Sequence, residues 1–578
     1  MANEAEAEGY GGRLSILLPL LLAAVLYFAS TTGRAVTDYD EGYYAQAAQN
    51  MAEHGDWVTP YADGIRFLEK PPLLYWLTAI SFKIFGINEF ALRLPTALAV
   101  IAIVWIVMLM ALRAFNKRAA FIAGLCTAFC VGTYLFTRET LHDVWLVLFI
   151  TLAIYAFHKW YSDSSRPLRP ALLFYAAAAG AMMCKSLIGV AFPVGIIALF
   201  FIISREWPKW RTLHILPGSL LFLVLTVPWH WMAAIRNQGF LDFFFVGEQF
   251  LRFFGKREPP VLWSVPLLTF WALVLVWFFP WTAFLPAAFA DCRKPADNRQ
   301  RILVRLSIAW MVVILGFFSV TDRLEHYAFP VLPALSLLIC GALSKSGVSK
   351  SVSRAFGGLA IIGILILALG LCAGAWFATG HGFDYATAGP ADRLAEADFT
   401  IMADIPASML QYLMKPAAVA ILATAIGFPL ALWFEMSRRR MHGVACLAVV
   451  MMIICGLINW SFSICEDLIS SKKFAVAVAQ SARPRDRLVV VGDYESANSL
   501  SFYQPLHIEV FDGLAYALIP GMKYPDAPKT VLTKQGFIDA WRSDARVFAL
   551  IPASRIGELN PAGTEMLRIL HRALIRNH

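Results

Sequence analysis

Charged side chains are scarce in this sequence. Lys, Arg, Asp and Glu together make up 15% of its 578 residues, where a soluble domain carries about 25%. That shortage excludes a water-soluble enzyme of this length. No GxGxxG or P-loop spacing is present, so no nucleotide fingerprint marks the chain. HExxH, CxxC and paired-histidine spacings are also missing, so no metal is predicted from pattern. A divalent ion then has only a spatial route, through Glu69 with His142 or His326 brought together by folding. Of nine cysteines, Cys126, Cys130, Cys184, Cys340, Cys372, Cys446 and Cys455 fall inside apolar segments, which suits packing better than disulfide stapling.

Apolar residues fill the gap. They make up 59% of the chain, and the mean hydropathy is +0.61. Runs of about 20 apolar residues recur, each long enough to cross the hydrocarbon core as a helix. The expected fold is an all-α polytopic membrane bundle with about 13 spans. They fall near 14–33, 89–112, 119–136, 144–159, 170–184, 187–203, 213–233, 264–287, 304–320, 328–343, 356–378, 416–435 and 442–464. The first run leads into further spans, so it is expected to serve as its own insertion signal. A formal charge of +9 does not indicate nucleic acid, because the basic residues are spread over many short segments between helices.

With a cytoplasmic N-terminus, six basic segments fall on the inner side. They are Arg113/Lys117/Arg118, Lys159/Arg166/Arg169, Arg205/Lys209/Arg211, Arg293 to Arg305, Lys345/Lys350/Arg354 and Arg438 to Arg440. The outer side then receives loops 34–88, 137–143, 234–263, 321–327 and 379–415, and the tail from 466 onward. Within 34–88, segments 41–53 and 71–86 read as helices at the membrane interface, the second starting at Pro71-Pro72. The chain therefore divides into a membrane part, 1–465, and a small soluble α/β domain, 466–578. Strand-like runs in that domain lie at 487–491, 507–511 and 547–551, with helical stretches at 494–502 and 535–543.

Ionisable residues gather at the outer helix ends. Asp38, Asp40 and Glu41 open the first loop, one turn ahead of Tyr43 and Tyr44. They suit base or electrostatic chemistry, and equally the N-terminal dipole of the helix that follows. Lys70 opposes the dipole of its own helix, so it needs an anion: Glu69 or Asp40 within the chain, or a lipid phosphate. Asp143 begins the fourth span as either a cap or a partner of Asp40, and His142 reads as an interface residue. Arg323, His326 and Tyr327 can line a polar pocket. Glu248, Arg252, Lys256 and Arg257 stand among six phenylalanines, which suits a phosphate headgroup above a lipid tail or a plain interfacial anchor.

Asp40-Glu41-Gly42-Tyr43-Tyr44, Arg66-Phe67-Leu68-Glu69-Lys70-Pro71-Pro72 and Arg138-Glu139-Thr140-Leu141-His142-Asp143 resemble the bacterial lipid A aminoarabinose transferases and their protein O-mannosyltransferase relatives. The resemblance covers nearly the whole chain. It implies a GT-C type membrane glycosyltransferase of the bacterial inner membrane. Its donor would be a sugar on undecaprenyl phosphate, and its acceptor lipid A or another envelope molecule, at the periplasmic face. By position, Asp40 and Asp143 match the family's essential acids, Glu69 its loop acid and Lys70 its donor-phosphate contact, while Tyr44, Arg252 and Tyr327 match loosely. One departure stands out: 234–263 contains no histidine to help hold a metal, as the family's fourth loop can. A lipid A phosphate acceptor is already nucleophilic, whereas a protein hydroxyl would require Asp40 as general base. A lipid or polysaccharide transporter, the competing class, would place its ionisable residues in mid-membrane.

Overall fold

The computed structural model describes residues 13–254, 256, 264–345, 349–378, 407–558 and 563–578. Most of the expected outer loop 379–415 lies outside the described residues. Among those described, nine helices are long and apolar enough to cross a membrane. They are Glu89–Ala114, His142–Ser162, Leu187–Ser204, Ile215–Arg236, Asn298–Val320, Glu325–Leu343, Lys350–Ala373, Tyr412–Met436 and Arg440–Ile464. The helix Leu168–Lys185 accompanies them, with shorter apolar helices at Leu17–Ala29 and Leu73–Phe85.

Two windows that read as single spans are interrupted. The window 119–136 divides into Lys117–Ala128 and Val131–Leu135. Its second piece presses so closely on a neighbouring helix that a Cβ on Gly132 would lie 2.7 Å from the Cβ of Trp277. The window 264–287 bends by 95° between Leu267–Trp277 and Trp281–Cys292. Pro280 sits in that break and has no N–H to continue a helical ladder. Apolarity detects burial in lipid, and neither break changes it.

The first loop, 34–88, forms helix Asp40–His54, a hairpin of β1 (Tyr61–Ala62) and β2 (Ile65–Arg66), and helix Leu73–Phe85 directly after Pro71-Pro72. The tail folds into a six-stranded sheet: β3 (Arg487–Val491), β4 (Ile508–Phe511), β5 (Val531–Leu532), β6 (Val547–Pro552), β7 (Thr564–Ile569) and β8 (Arg572–Arg576), in the order β5-β4-β3-β6-β8-β7. Strands β5, β4, β3 and β6 run parallel, and β8 and β7 close the edge antiparallel. Alternation along the strands sorts the residues onto two faces. Leu488, Val490, Ile508, Val510 and Leu550 join the core shared with the membrane bundle, while Val489, Val491, Ala549 and Ile551 pack under Phe537 and Trp541 of helix Lys534–Arg542.

Polar contacts fix the tail to the first loop. Buried Asp38 accepts hydrogen bonds from the Ser499 amide (2.9 Å) and the Ser471 hydroxyl (2.9 Å), with Arg572 at 3.8 Å. Asn498 donates to the Tyr39 carbonyl and accepts from Gln46 through its own carbonyl. Gly42 is required at this seam, since a Cβ there would lie 2.3 Å from Asn498 Oδ1.

Burial pushes the Asp38 carboxyl up to about 6, although Arg572 and the Ser499 and Ser471 hydrogen bonds pull it down. A raised acid favours its protonated form in the fold, so its stability contribution is complete below the unfolded value and lost as pH rises through the folded one. Between about pH 4 and pH 7 the chain should therefore lose roughly 3 kcal/mol of stability relative to Asp38→Asn. Paired thermal melts across that range test this, and a gap between the two proteins that does not change with pH would refute it.

Candidate active site

A cavity of about 1530 Å³ opens where one set of helix ends meets the first loop and the tail. Asp40, Tyr43, Tyr44, Glu69 and Lys70 line it from the first loop; Arg138, Glu139, His142 and Asp143 from the second; Glu248 and Arg252 from the third; and His326 and Tyr327 from the start of a later span. The tail adds Asp493, Glu495 and Ser496. Apolar side chains, among them Leu146, Ile188, Ala191, Phe253 and Phe317, continue the wall. The cavity is polar where the loops meet and greasy along the helices.

Three cations along this wall each rest on a carboxylate. Lys70 Nζ lies 2.5 Å from Glu69 Oε1, and Lys185 Nζ lies 2.5 Å from Asp143 Oδ1. Arg252 donates to the Tyr327 hydroxyl (2.9 Å) and to Glu248 (3.4 Å), with Glu69 at 4.0 Å. Tyr327, Glu248 and Glu69 hold its guanidinium well above the usual range. Lys185 also stacks over the Tyr327 ring at 4.8 Å, and His326 Nε2 lies 3.9 Å from Asp143 Oδ2. Glu69, Lys70, Asp143, Lys185, Arg252, His326 and Tyr327 thus form one connected cluster.

Local structure explains these placements. Arg252 follows a run of π-helix, Asp242–Leu251, a widened turn that is common at functional sites. Asp40 follows Tyr39, whose backbone is held at φ 67°, an uncommon conformation for a residue other than glycine. The tail holds that strained residue in place: the Tyr39 amide donates to the Glu495 carbonyl, and its own carbonyl accepts from Asn498. Tyr44 is buried beside Asp40, and burial first, then the Asp40 charge, raise its phenol well above the ordinary value. His142 is 1% exposed and packs edge-on against Tyr44 (4.5 Å) and Tyr75 (5.2 Å); among the described residues neither of its ring nitrogens has a hydrogen-bond partner.

Several expected residues lie elsewhere. Glu41 is off the cavity wall, fully buried and paired with Arg93 at 2.7 Å. Arg323 turns away to the carbonyls of Val265 (2.9 Å) and Phe318 (3.1 Å). Asp38 belongs to the tail interface, and Lys256 does not line the cavity. Arg257 lies outside the described residues. Among the described residues no three His, Cys, Asp or Glu side chains come close enough to hold a metal, so Glu69, His142 and His326 do not assemble as a ligand set.

Lys185 is the main residue the sequence reading passed over. It sits in a 35-residue apolar stretch, 170–204, where it is the single charged residue and a lone lysine looks incidental. An ionisable residue inside an apolar run is itself the signal. Folding places it at a tight reversal: Ser186 alone separates Leu168–Lys185 from Leu187–Ser204, and Gly189 approaches so near that a Cβ would lie 2.3 Å from the Ala181 carbonyl.

The buried Glu41–Arg93 pair yields a prediction about stability. Besides Glu41, Arg93 donates to the carbonyls of Arg34 and Ala35, and Glu41 accepts from the Thr37 amide. Glu41→Gln leaves a buried guanidinium without its counter-charge and should destabilise the protein by about 3–5 kcal/mol. Thermal melts against wild type check this; an unchanged melting temperature would show the pair to be dispensable.

Comparisons with known proteins agree with this geometry. The family model described as dolichyl-phosphate-mannose-protein mannosyltransferase matches residues 69–232. The undecaprenyl phosphate-alpha-4-amino-4-deoxy-L-arabinose arabinosyl transferase of Aeromonas salmonicida is 25% identical over 551 residues, 92% of this chain and 91% of that protein. The enzyme of the same name from Yersinia enterocolitica is 28% identical over 374 residues, 61% of this chain and 64% of that one, so this match spans just under two thirds of the relative. The crystal structure of ArnT from Cupriavidus metallidurans in the apo state superposes with a TM-score of 0.82 at 25% identity, covering 99% of this chain and 98% of that one. By fold and by likeness the chain is a multi-span membrane glycosyltransferase of the GT-C type, related to the protein O-mannosyltransferases and similar over nearly its whole length to bacterial aminoarabinose transferases.

Proposed function

We propose that this protein transfers 4-amino-4-deoxy-L-arabinose from undecaprenyl phosphate to a phosphate of lipid A, at the periplasmic face of a bacterial inner membrane. The observation that carries this reading is the cavity, which places three cations, several carboxylates and an apolar wall together. A polyprenyl phosphate sugar needs all three. The names of the similar enzymes supply the sugar and donor, and the ArnT of Cupriavidus metallidurans has been crystallised bound to undecaprenyl phosphate. The basic segments lie at the helix ends opposite the cavity, which supports a periplasmic site under the positive-inside rule.

The chemistry follows from where charge moves. The donor is a phosphodiester with one negative charge. When the anomeric C–O bond breaks, its electron pair stays on the phosphate oxygen, and the leaving polyprenyl phosphate becomes a monoester with a second charge. Lys70, Lys185 and Arg252 face that developing charge, so their attraction grows toward the transition state. Positive charge builds at the anomeric carbon, and Asp40, with Asp143 and Glu69, supplies the opposite sign. An acceptor phosphate oxygen forms the new bond without giving up a proton. Tyr44 and Tyr327 complete the donor-phosphate end, and His326 supports Asp143.

Mass spectrometry of lipid A from cells with and without the chain tests this reading. The expected result is an added aminoarabinose mass on a lipid A phosphate, reduced roughly 100-fold or more in Asp40→Asn at equal expression. Unmodified lipid A in both strains would overturn the acceptor and turn attention to protein hydroxyls and other envelope glycans. For the donor end, Lys70→Ala should weaken undecaprenyl phosphate binding about tenfold; unchanged binding would remove Lys70 from the site.

A further inference from the structure

A second cavity, of about 310 Å³, lies at the far end of the bundle. Three of the helices that reach the first cavity also build this one. His142–Ser162 lines the first through His142 and the second through Tyr161 and Ser162, and Leu187–Ser204 does so through Leu187 and Ser204. Asn298–Val320 contributes Phe317 and Phe318 to the first cavity and Arg301 and Arg305 to the second. Helices of 18 to 23 residues separate the two by about 27–35 Å, one hydrocarbon thickness. The second cavity therefore sits at the opposite headgroup level.

Its lining is strongly cationic. Arg166, Lys209, Arg301 and Arg305 face it, with Glu206 as the sole acid. Glu206 is already committed: it pairs with Lys209 at 2.6 Å and accepts a hydrogen bond from Tyr161. Arg166 is braced from behind, its guanidinium over the rings of Trp160 (4.8 Å) and Tyr161 (4.9 Å). The guanidiniums of Arg301 and Arg305 take part in no hydrogen bond or ion pair with the described residues. The Ser204 hydroxyl is shielded from solvent and also has no partner among the described residues. With Lys209 and Glu206 cancelling, three positive charges and an unsatisfied hydroxyl surround a space large enough for a phosphate group. Just outside, Ile202, Ile203, Trp207 and Trp210 are exposed, as expected of side chains at the lipid boundary.

We propose that this second cavity is a phosphate-binding site for the headgroup of an anionic membrane lipid, separate from the donor site and at the opposite membrane face. A basic loop that merely sets topology needs no cavity, no braced arginine and no buried orphan hydroxyl. The surplus of charge selects an anion, the size of the space selects a headgroup, and the exposed tryptophans place it where lipid phosphates lie.

Native mass spectrometry of the full-length protein with added phosphatidylglycerol tests the proposal. Wild type should retain this lipid about thirtyfold more tightly than Arg301→Gln/Arg305→Gln, and about fivefold more tightly than Arg305→Gln alone. Arg299→Gln removes the same charge from the same helix at an exposed residue outside the cavity, and should bind as wild type does. Phosphatidylethanolamine should show no dependence on these arginines. Millimolar inorganic phosphate separates the two sources of a phosphate: failure to displace the lipid supports a headgroup, and full displacement overturns the lipid in favour of a soluble phosphate. Equal retention by the double variant, or an equal loss in Arg299→Gln, would overturn the site itself.

Discussion

The buried pair of Glu41 and Arg93 organises the half of this molecule that holds the large cavity. Arg93 projects from a membrane-spanning helix, and its guanidinium gathers Glu41 together with the carbonyls of Arg34 and Ala35. Glu41 in turn accepts from the Thr37 amide and from the Thr140 amide of the second loop, 137–143. One ion pair thus binds a span, the start of the first loop and the second loop into a single unit. The neighbouring Asp40 and the nearby Asp143 come from those two loops, so both reach the cavity on scaffolding anchored by charges that do not face it. Apolar packing could not supply that arrangement, because loop carbonyls at the membrane edge need donors.

The tail takes part in the same construction. Its sheet gives one face to the shared core and the other to its own helix, so the domain is rigid where it meets the first loop. Through the Glu495 carbonyl and Asn498 it secures the strained backbone ahead of Asp40, and it adds side chains to the cavity wall. The C-terminal sheet domain is therefore part of the architecture of the site.

Much of this was legible in the sequence, and the omissions have a common cause. Apolar runs located the spans because lipid imposes one local rule on every residue in a helix. Strands β3, β4 and β6 were readable within a residue or so at each end because β3 and β6 are continuously apolar and β4 alternates apolar with polar, whereas β7, exposed at the sheet edge, and β8, whose three buried residues Ala573, Leu574 and Ile575 lie between two arginines, gave no such pattern. The carboxylates and cations of the first two loops stood out against an apolar background. Lys185 and Arg93 did not, since each is a single charge at the end of a long apolar run whose partner lies tens of residues away. Glu41 and Arg323 show the converse: their sequence neighbours line the cavity, but their own side chains turn to backbone or buried partners, and only the fold decides which way each one faces.

The pairing of Lys70, Lys185 and Arg252 with acids has a consequence for discrimination. A bare cationic pocket would capture any passing anion, whereas under the proposed function an incoming phosphate has to compete with carboxylates already in contact. Entry becomes an exchange of partners in which the net electrostatic gain is small. The remainder must come from the apolar wall, which a small inorganic anion cannot use. Under that proposal the resting ion pairs act as a filter, admitting charge only when it arrives attached to grease.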